Sequence, residues 1–195
     1  MIQRRTRSIL TLFAVPLAAA LVIGLGAAAA PVRDPDAPLW LEASLSGRKL
    51  TVMKGDSVVK QYDVAVGHPN HPTPTGSFTV RKLIWNPAWV PPDEKWARGK
   101  KPTPPGAKNN PMKMVKIFFQ EPDYYIHGTG AVESLGEAAS HGCLRMDPNE
   151  AGEVALMLMD NSGTAKDWDW VKGILHLGEQ RAVGLATPVT MVVEH

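Results

Sequence analysis

Short runs of alternating apolar and polar residues, broken at turn chemistry, constrain the fold of this chain more than any other feature. A period of two places successive side chains on opposite faces of a strand. Residues 39–45 read as one strand, closed by a Ser46-Gly47 turn. Residues 49–54 follow with Leu50 and Val52 on one face, and Lys54-Gly55-Asp56 turns the chain again. Residues 58–66 bring Tyr62, Val64 and Val66 together. After a break rich in proline and glycine at 67–76, residues 77–84 resume with Phe78 and Val80 on one face. Two further strands are expected at 114–119 and 124–127, with Glu121-Pro122-Asp123 between them, and a closing strand at 188–193.

Helices are few. Asp147 followed by Pro148 and Glu150 is an N-terminal capping sequence, and it predicts a helix to about residue 160 with Val154, Leu156, Met157 and Leu158 on its apolar face. A short second helix is expected at 168–175. The reading is a mostly β chain with a few short helices, in one domain from about residue 39 to the end.

Two segments fall outside that pattern. Residues 85–113 form a long irregular stretch with Trp85, Trp89 and Trp96, seven prolines between Trp85 and Pro111, and a basic cluster at Arg98, Lys100 and Lys101. Tryptophan suits a disordered segment poorly, so a lid over a substrate cleft is expected rather than a solvated excursion. The N-terminus carries Arg4, Arg5 and Arg7, an apolar run from 9 to about 25, and then Ala27-Ala28-Ala29-Ala30. This order reads as a signal peptide over 1–30, or as an uncleaved anchor, and under either reading the protein is exported to the periplasm or cell envelope. A Pro-rich tether is expected over 31–38.

The leader also holds the basic excess. Without its three arginines the chain has 18 basic against 19 acidic residues, so charge gives no basis for nucleic-acid binding, and membrane contact is expected only through an uncleaved leader.

Chemistry is concentrated in Ile126-His127-Gly128-Thr129-Gly130 and Ser140-His141-Gly142-Cys143-Leu144-Arg145-Met146. Cys143 is the only cysteine, so in an exported chain it has no partner for an internal disulfide. A thiolate is the nucleophile, and a neighbouring imidazole can accept the thiol proton; His127 and His141 are both available for that. Such a pair lowers a thiol's pKa, and that is the expectation here. Backbone N–H groups around His141-Gly142-Cys143 offer an oxyanion hole. The competing chemistry is zinc held by His127, His141, Cys143 and Asp147. Its ligand spacing is atypical, so neither a metal nor a cofactor is expected.

These paired motifs resemble the catalytic signature of the L,D-transpeptidase (YkuD-type) family. The resemblance extends to Ala65-Val66-Gly67, to Pro72-Thr73-Pro74-Thr75-Gly76-Ser77-Phe78, to Asn110-Pro111-Met112 and to the last strand. It implies a β-sandwich-like catalytic domain acting on peptidoglycan stem peptides as donor and acceptor, or on an envelope protein as acceptor. Residue by residue, it implies Cys143 as the acylated nucleophile and His127 as the base, oriented by the Gly128 carbonyl. Ser140, His141 and Gly142 match the segment lining the oxyanion hole, and Arg145 matches an arginine beside the nucleophile. A carboxypeptidase or amidase, and a peptidoglycan-binding module without turnover, are the alternatives. Lys113 departs from the family's frequent glycine at that position, which bears on the edge of the lid.

Overall fold

The computed structural model describes residues 36–195, so the expected leader and all but the end of the tether lie outside the described residues. The alternating runs form strands where their periodicity places them. These are β1 (Leu39–Ser44), β2 (Lys49–Lys54), β3 (Ser57–Asp63), β4 (Val66–Gly67) and β5 (Gly76–Trp85). They are followed by β6 (Lys113–Gln120), β7 (Tyr124–Gly128), β8 (Ala138–Ser140), β9 (Leu144–Met146) and, after helices α1 (Pro148–Asn161) and α2 (Trp168–Leu177), β10 (Arg181–Glu194). The chain is mostly β with two α-helices, as expected.

Eight strands make one sheet in the order β3-β2-β1-β10-β5-β6-β7-β9, while β4 and β8 form a separate parallel pair. Backbone just past one end of this strand order pairs with the strand at the other end. Beyond β3, Ala65 exchanges two backbone hydrogen bonds of 2.9 Å with Arg145 of β9, at the opposite end of the strand order. One core fills the space enclosed, with Leu41, Leu50, Val52, Leu83, Ile117, Ile126 and Leu144 all fully buried. Each such aliphatic side chain contributes roughly 1.5–3 kcal/mol on burial.

Three expectations need adjustment. The strand expected at 58–66 ends at Asp63, and Val64 and Ala65 leave it to make the closing contact with β9. The closing strand is far longer than 188–193, because its pairing with β5 continues on both sides of an irregularity between Gly184 and Val189. The face of α1 that packs inward is Ala151, Val154, Ala155 and Leu158, with Leu156 and Met157 only partly buried at its margin. Small alanines let the helix approach the sheet closely, which a reading weighted to large apolar residues passes over.

Trp85 ends β5 inside the core rather than in the loop. Its indole N–H donates to Met159 Sδ (3.3 Å) and its ring meets Trp170 edge-on (5.9 Å), fastening both helices to the sheet. Among the described residues no helix is long and apolar enough to cross a membrane.

Asp147 caps α1 as expected, with Oδ1 accepting from the N–H groups of Asn149 (2.8 Å) and Glu150 (3.4 Å). Asp147→Ala should therefore lower the unfolding free energy by about 1 kcal/mol, read as a lower urea midpoint at unchanged slope. Asp147→Asn should retain most of that stability. A midpoint for Asp147→Ala equal to wild type would contradict the cap's contribution.

Candidate active site

The site is built on two strand pairings. β6 and β7 run antiparallel with Lys116 opposite His127, Ile117 opposite Ile126 and Phe118 opposite Tyr125. β7 and β9 run parallel with Ile126 opposite Leu144 and His127 opposite Arg145. Ile117, Ile126 and Leu144 make one cross-strand row, and all are fully buried in the core. Alternation then sends the rows on either side to the other face. Lys116, His127 and Arg145 form one such row; Phe118, Tyr125 and Cys143, just ahead of β9, form the next. All six line a cavity of about 550 Å³.

The loop between β5 and β6 supplies the facing wall through Trp89, Pro91, Trp96 and Met112. Two of the three tryptophans expected in a lid thus line the cavity. Asn110 holds the loop's base: its side-chain amide donates to the Pro87 (2.8 Å) and Pro104 (3.1 Å) carbonyls, and its Oδ1 accepts from the Met112 N–H. Lys113 serves the same end, donating to the Lys108 carbonyl (2.9 Å).

His127 is 3% exposed. Its Nδ1 lies 2.8 Å from the Gly128 carbonyl oxygen, which can only accept, so Nδ1 carries the proton and Nε2 keeps its lone pair. Gly128 itself packs too closely against its neighbours for a side chain. A Cβ there would stand 2.6 Å from the Lys113 carbonyl oxygen and 2.9 Å from Pro148 Cα.

Cys143 follows a turn held by Ser140, whose hydroxyl donates to the Cys143 carbonyl (2.5 Å) and accepts from the Gly142 N–H (3.1 Å). The Gly142 N–H, which the sequence offered to an oxyanion, is therefore engaged within the turn. Gly142 sits at φ 106°, and a Cβ there would meet Tyr124 Cε1 at 2.7 Å, so only glycine fits. The thiol itself donates to the Asp123 carbonyl at 3.4 Å.

His141 faces the lid rather than the thiol's strand row. Its ring stacks on Trp96 (4.0 Å between centroids) and lies 4.8 Å from the ring of His71. Burial lowers its pKa, with further lowering from His71, Arg145 and Lys100 against an opposing effect of Glu94.

The electrostatics differ from the expected low-pKa thiol. Burial pushes the Cys143 thiol up to about 11, outweighing hydrogen bonds from the Tyr125 backbone and side chain and the nearby charges of Lys116 and Arg145, all of which favour the thiolate. Burial likewise takes His127 down to about 3; the Gly128 carbonyl opposes this, while Arg145 and Lys116 add to it. Burial thus favours the neutral form of both groups, which line one cavity, while the thiol's own hydrogen bond goes to the Asp123 carbonyl. Burial lowers Lys116 and Arg145 as well, and among the described residues neither is in an ion pair.

Tyr125 and Lys116 are site residues that the sequence reading passed over. Period-two alternation back from His127 reaches Tyr125, but only the register between strands could bring Lys116 in. Among the described residues no three His, Cys, Asp or Glu side chains converge as a metal site would require.

Comparison with known proteins gives a consistent picture. Residues 38–189 match the YkuD family, described as the L,D-transpeptidase catalytic domain. A Bacillus licheniformis protein named for L,D-transpeptidases of the YkuD type is 31% identical over 128 residues, 65% of this chain and 65% of that protein. The match thus spans slightly less than two thirds of that relative's length. The catalytic domain of the E. faecium L,D-transpeptidase aligns at a TM-score of 0.50 with 16% identity, over 84% of this chain and 99% of that one. An L,D-transpeptidase from Mycobacterium smegmatis aligns at a TM-score of 0.50 with 20% identity, over 82% of this chain and 59% of the other. At such identities the structural likeness speaks to fold.

A raised thiol pKa has a direct consequence in the free protein. The thiolate fraction, and with it the rate of alkylation by iodoacetamide, should climb about tenfold per pH unit from pH 7 towards 10 without levelling off. A rate already on its plateau at pH 7 would show that the sulfur is ionised at rest.

Proposed function

The chain belongs to the L,D-transpeptidase (YkuD) family, and on that premise we propose that it is an exported, cysteine-dependent L,D-transpeptidase of peptidoglycan. The observation that carries this reading is the cavity floor. Cys143 and His127 project from adjacent cross-strand rows into one cavity, and His127 is held in the tautomer whose free nitrogen is Nε2.

The donor is a tetrapeptide stem. The sulfur of Cys143 attacks the carbonyl that joins the third residue to the terminal D-alanine, forming a C–S bond while the C–N bond breaks. His127 takes the thiol proton at Nε2 and delivers it to the departing amine. Because burial favours the neutral form of both groups, proton transfer to Nε2 accompanies attack by the sulfur. With the Gly142 N–H engaged by Ser140, the N–H groups of His141 and Cys143 are the donors proposed for the oxyanion. An amine acceptor then attacks the thioester, loses a proton through His127, and frees the thiol.

The acceptor is a second stem peptide, giving a crosslink, or an amine of an envelope protein. Arg145, a cavity cation with no ion pair among the described residues, is suited to a stem-peptide carboxylate. Water as the acceptor would make the same acyl-enzyme a carboxypeptidase.

Incubating the mature protein with disaccharide-tetrapeptides should release D-alanine and yield crosslinked dimers by mass spectrometry, and Cys143→Ala should abolish both. A carbapenem should add its mass to Cys143. Identical products from wild type and Cys143→Ala would reject the reading.

A further inference from the structure

Two cations flank His127, and neither gives or takes the proton in the proposed acyl transfer. Lys116 on β6 and Arg145 on β9 are the Cα partners of His127 on its two sides. Both line the cavity, burial disfavours the charge of both, and among the described residues no ion pair involves either. The Lys116 ammonium rests instead over the Tyr125 ring, 4.6 Å from its centre. Keeping two cations partly desolvated without a counter-ion costs stability, and the cost is recovered when an anion arrives with a ligand.

Resting on the transpeptidase reading, we propose that Lys116 and Arg145 together clamp the free carboxylate of the leaving residue, the terminal D-amino acid of the donor stem, and that filling the clamp switches His127 on as a base. The direction of binding follows from the proton transfer. One imidazole must reach both the sulfur and the departing amine, so the leaving residue lies over His127. Its carboxylate sits one residue, about 3.5 Å, beyond the scissile carbonyl. Neighbouring strands are about 4.8 Å apart, so the two long side chains on either side of His127 can converge on that point. A stem one residue longer carries its carboxylate a further ~3.5 Å away. The clamp therefore measures the length of the donor as well as its charge.

The coupling to His127 is electrostatic. While the clamp is empty, Arg145 and Lys116 both oppose a positive charge on the imidazole, in addition to burial. A carboxylate between them cancels that field at the moment His127 must become imidazolium. The other groups against the ring are the Gly128 carbonyl, which holds Nδ1, and Tyr125, whose ring is 5.6 Å away. Cys143 faces the same cavity. A carboxylate that both binds and activates should affect kcat as well as KM.

The test compares two tetrapeptide donors, one ending in D-alanine and the other in D-alaninamide, by quantifying the released amine. Wild type should lose about ten- to a hundredfold in kcat/KM on the amide, consistent with a charge-assisted pair, with part of the loss in kcat. The acid limb of the kcat profile should lie at higher pH with the carboxylate donor, because the bound anion raises the basicity of His127. Lys116→Met should shrink the ratio of kcat/KM between the carboxylate and amide donors about tenfold, and Lys116→Arg should restore that ratio. Equal kcat/KM for the two donors would overturn the clamp while leaving the transpeptidase reading standing. Coincident acid limbs would overturn the coupling to His127. Turnover of neither donor, with Cys143 intact, would overturn the transpeptidase reading and the clamp with it.

Discussion

The parallel pairing of β7 with β9 is the constraint on which the rest of the site depends. Three residue pairs define it, Ile126 with Leu144, His127 with Arg145 and Gly128 with Met146. Because side chains alternate along a strand, a slip of one residue in this short ladder would turn Cys143 towards the core and Leu144 into the cavity. Several local features hold the register. Ala65 pairs with Arg145 on the far edge of β9, Ser140 closes the turn before Cys143, and Asp147 caps the helix immediately after it. Gly128 and Gly142 occupy the two points where a side chain would force neighbouring elements apart.

That arrangement decides the electrostatics. A thiol and an imidazole lining this cavity lose more from desolvation than they gain from nearby dipoles and charges, which favours the uncharged form of both. The hydrogen bonds from Tyr125 and the fields of Lys116 and Arg145 favour the thiolate but do not win in the free protein. Low polarity has a compensating use. In the proposed acyl transfer it would strengthen each interaction with the charges that develop.

Much of the fold was legible in the sequence because its strands expose one face and bury the other. The runs at 49–54 and 77–84 state their own periodicity, and Asp147-Pro148 states where α1 begins. The short strand β9 was not legible: Leu144, Arg145 and Met146 alone are too few to show a period, and they form a strand only because β7 and Ala65 pair with them on either side. The same reason explains the site. The motifs around His127 and Cys143 were visible as local chemistry, while the Gly128 carbonyl as the partner of His127 came only from the family resemblance. Lys116 lies eleven positions from His127 in sequence and reaches it only through an antiparallel register that no local pattern encodes. The expected low thiol pKa came from considering charge partners without burial, which is a property of the assembled cavity.

The central claim is that this register holds a neutral imidazole, protonated at Nδ1, at His127 in the cavity that Cys143 lines. Nitrogen-15 NMR of the His127 imidazole in the free protein tests it most directly, since the shifts of Nδ1 and Nε2 distinguish the two tautomers and the imidazolium. A neutral ring, protonated at Nδ1 and unchanged from pH 8 down to pH 5, is the predicted result. An imidazolium at pH 7, or a ring protonated at Nε2, would contradict the account.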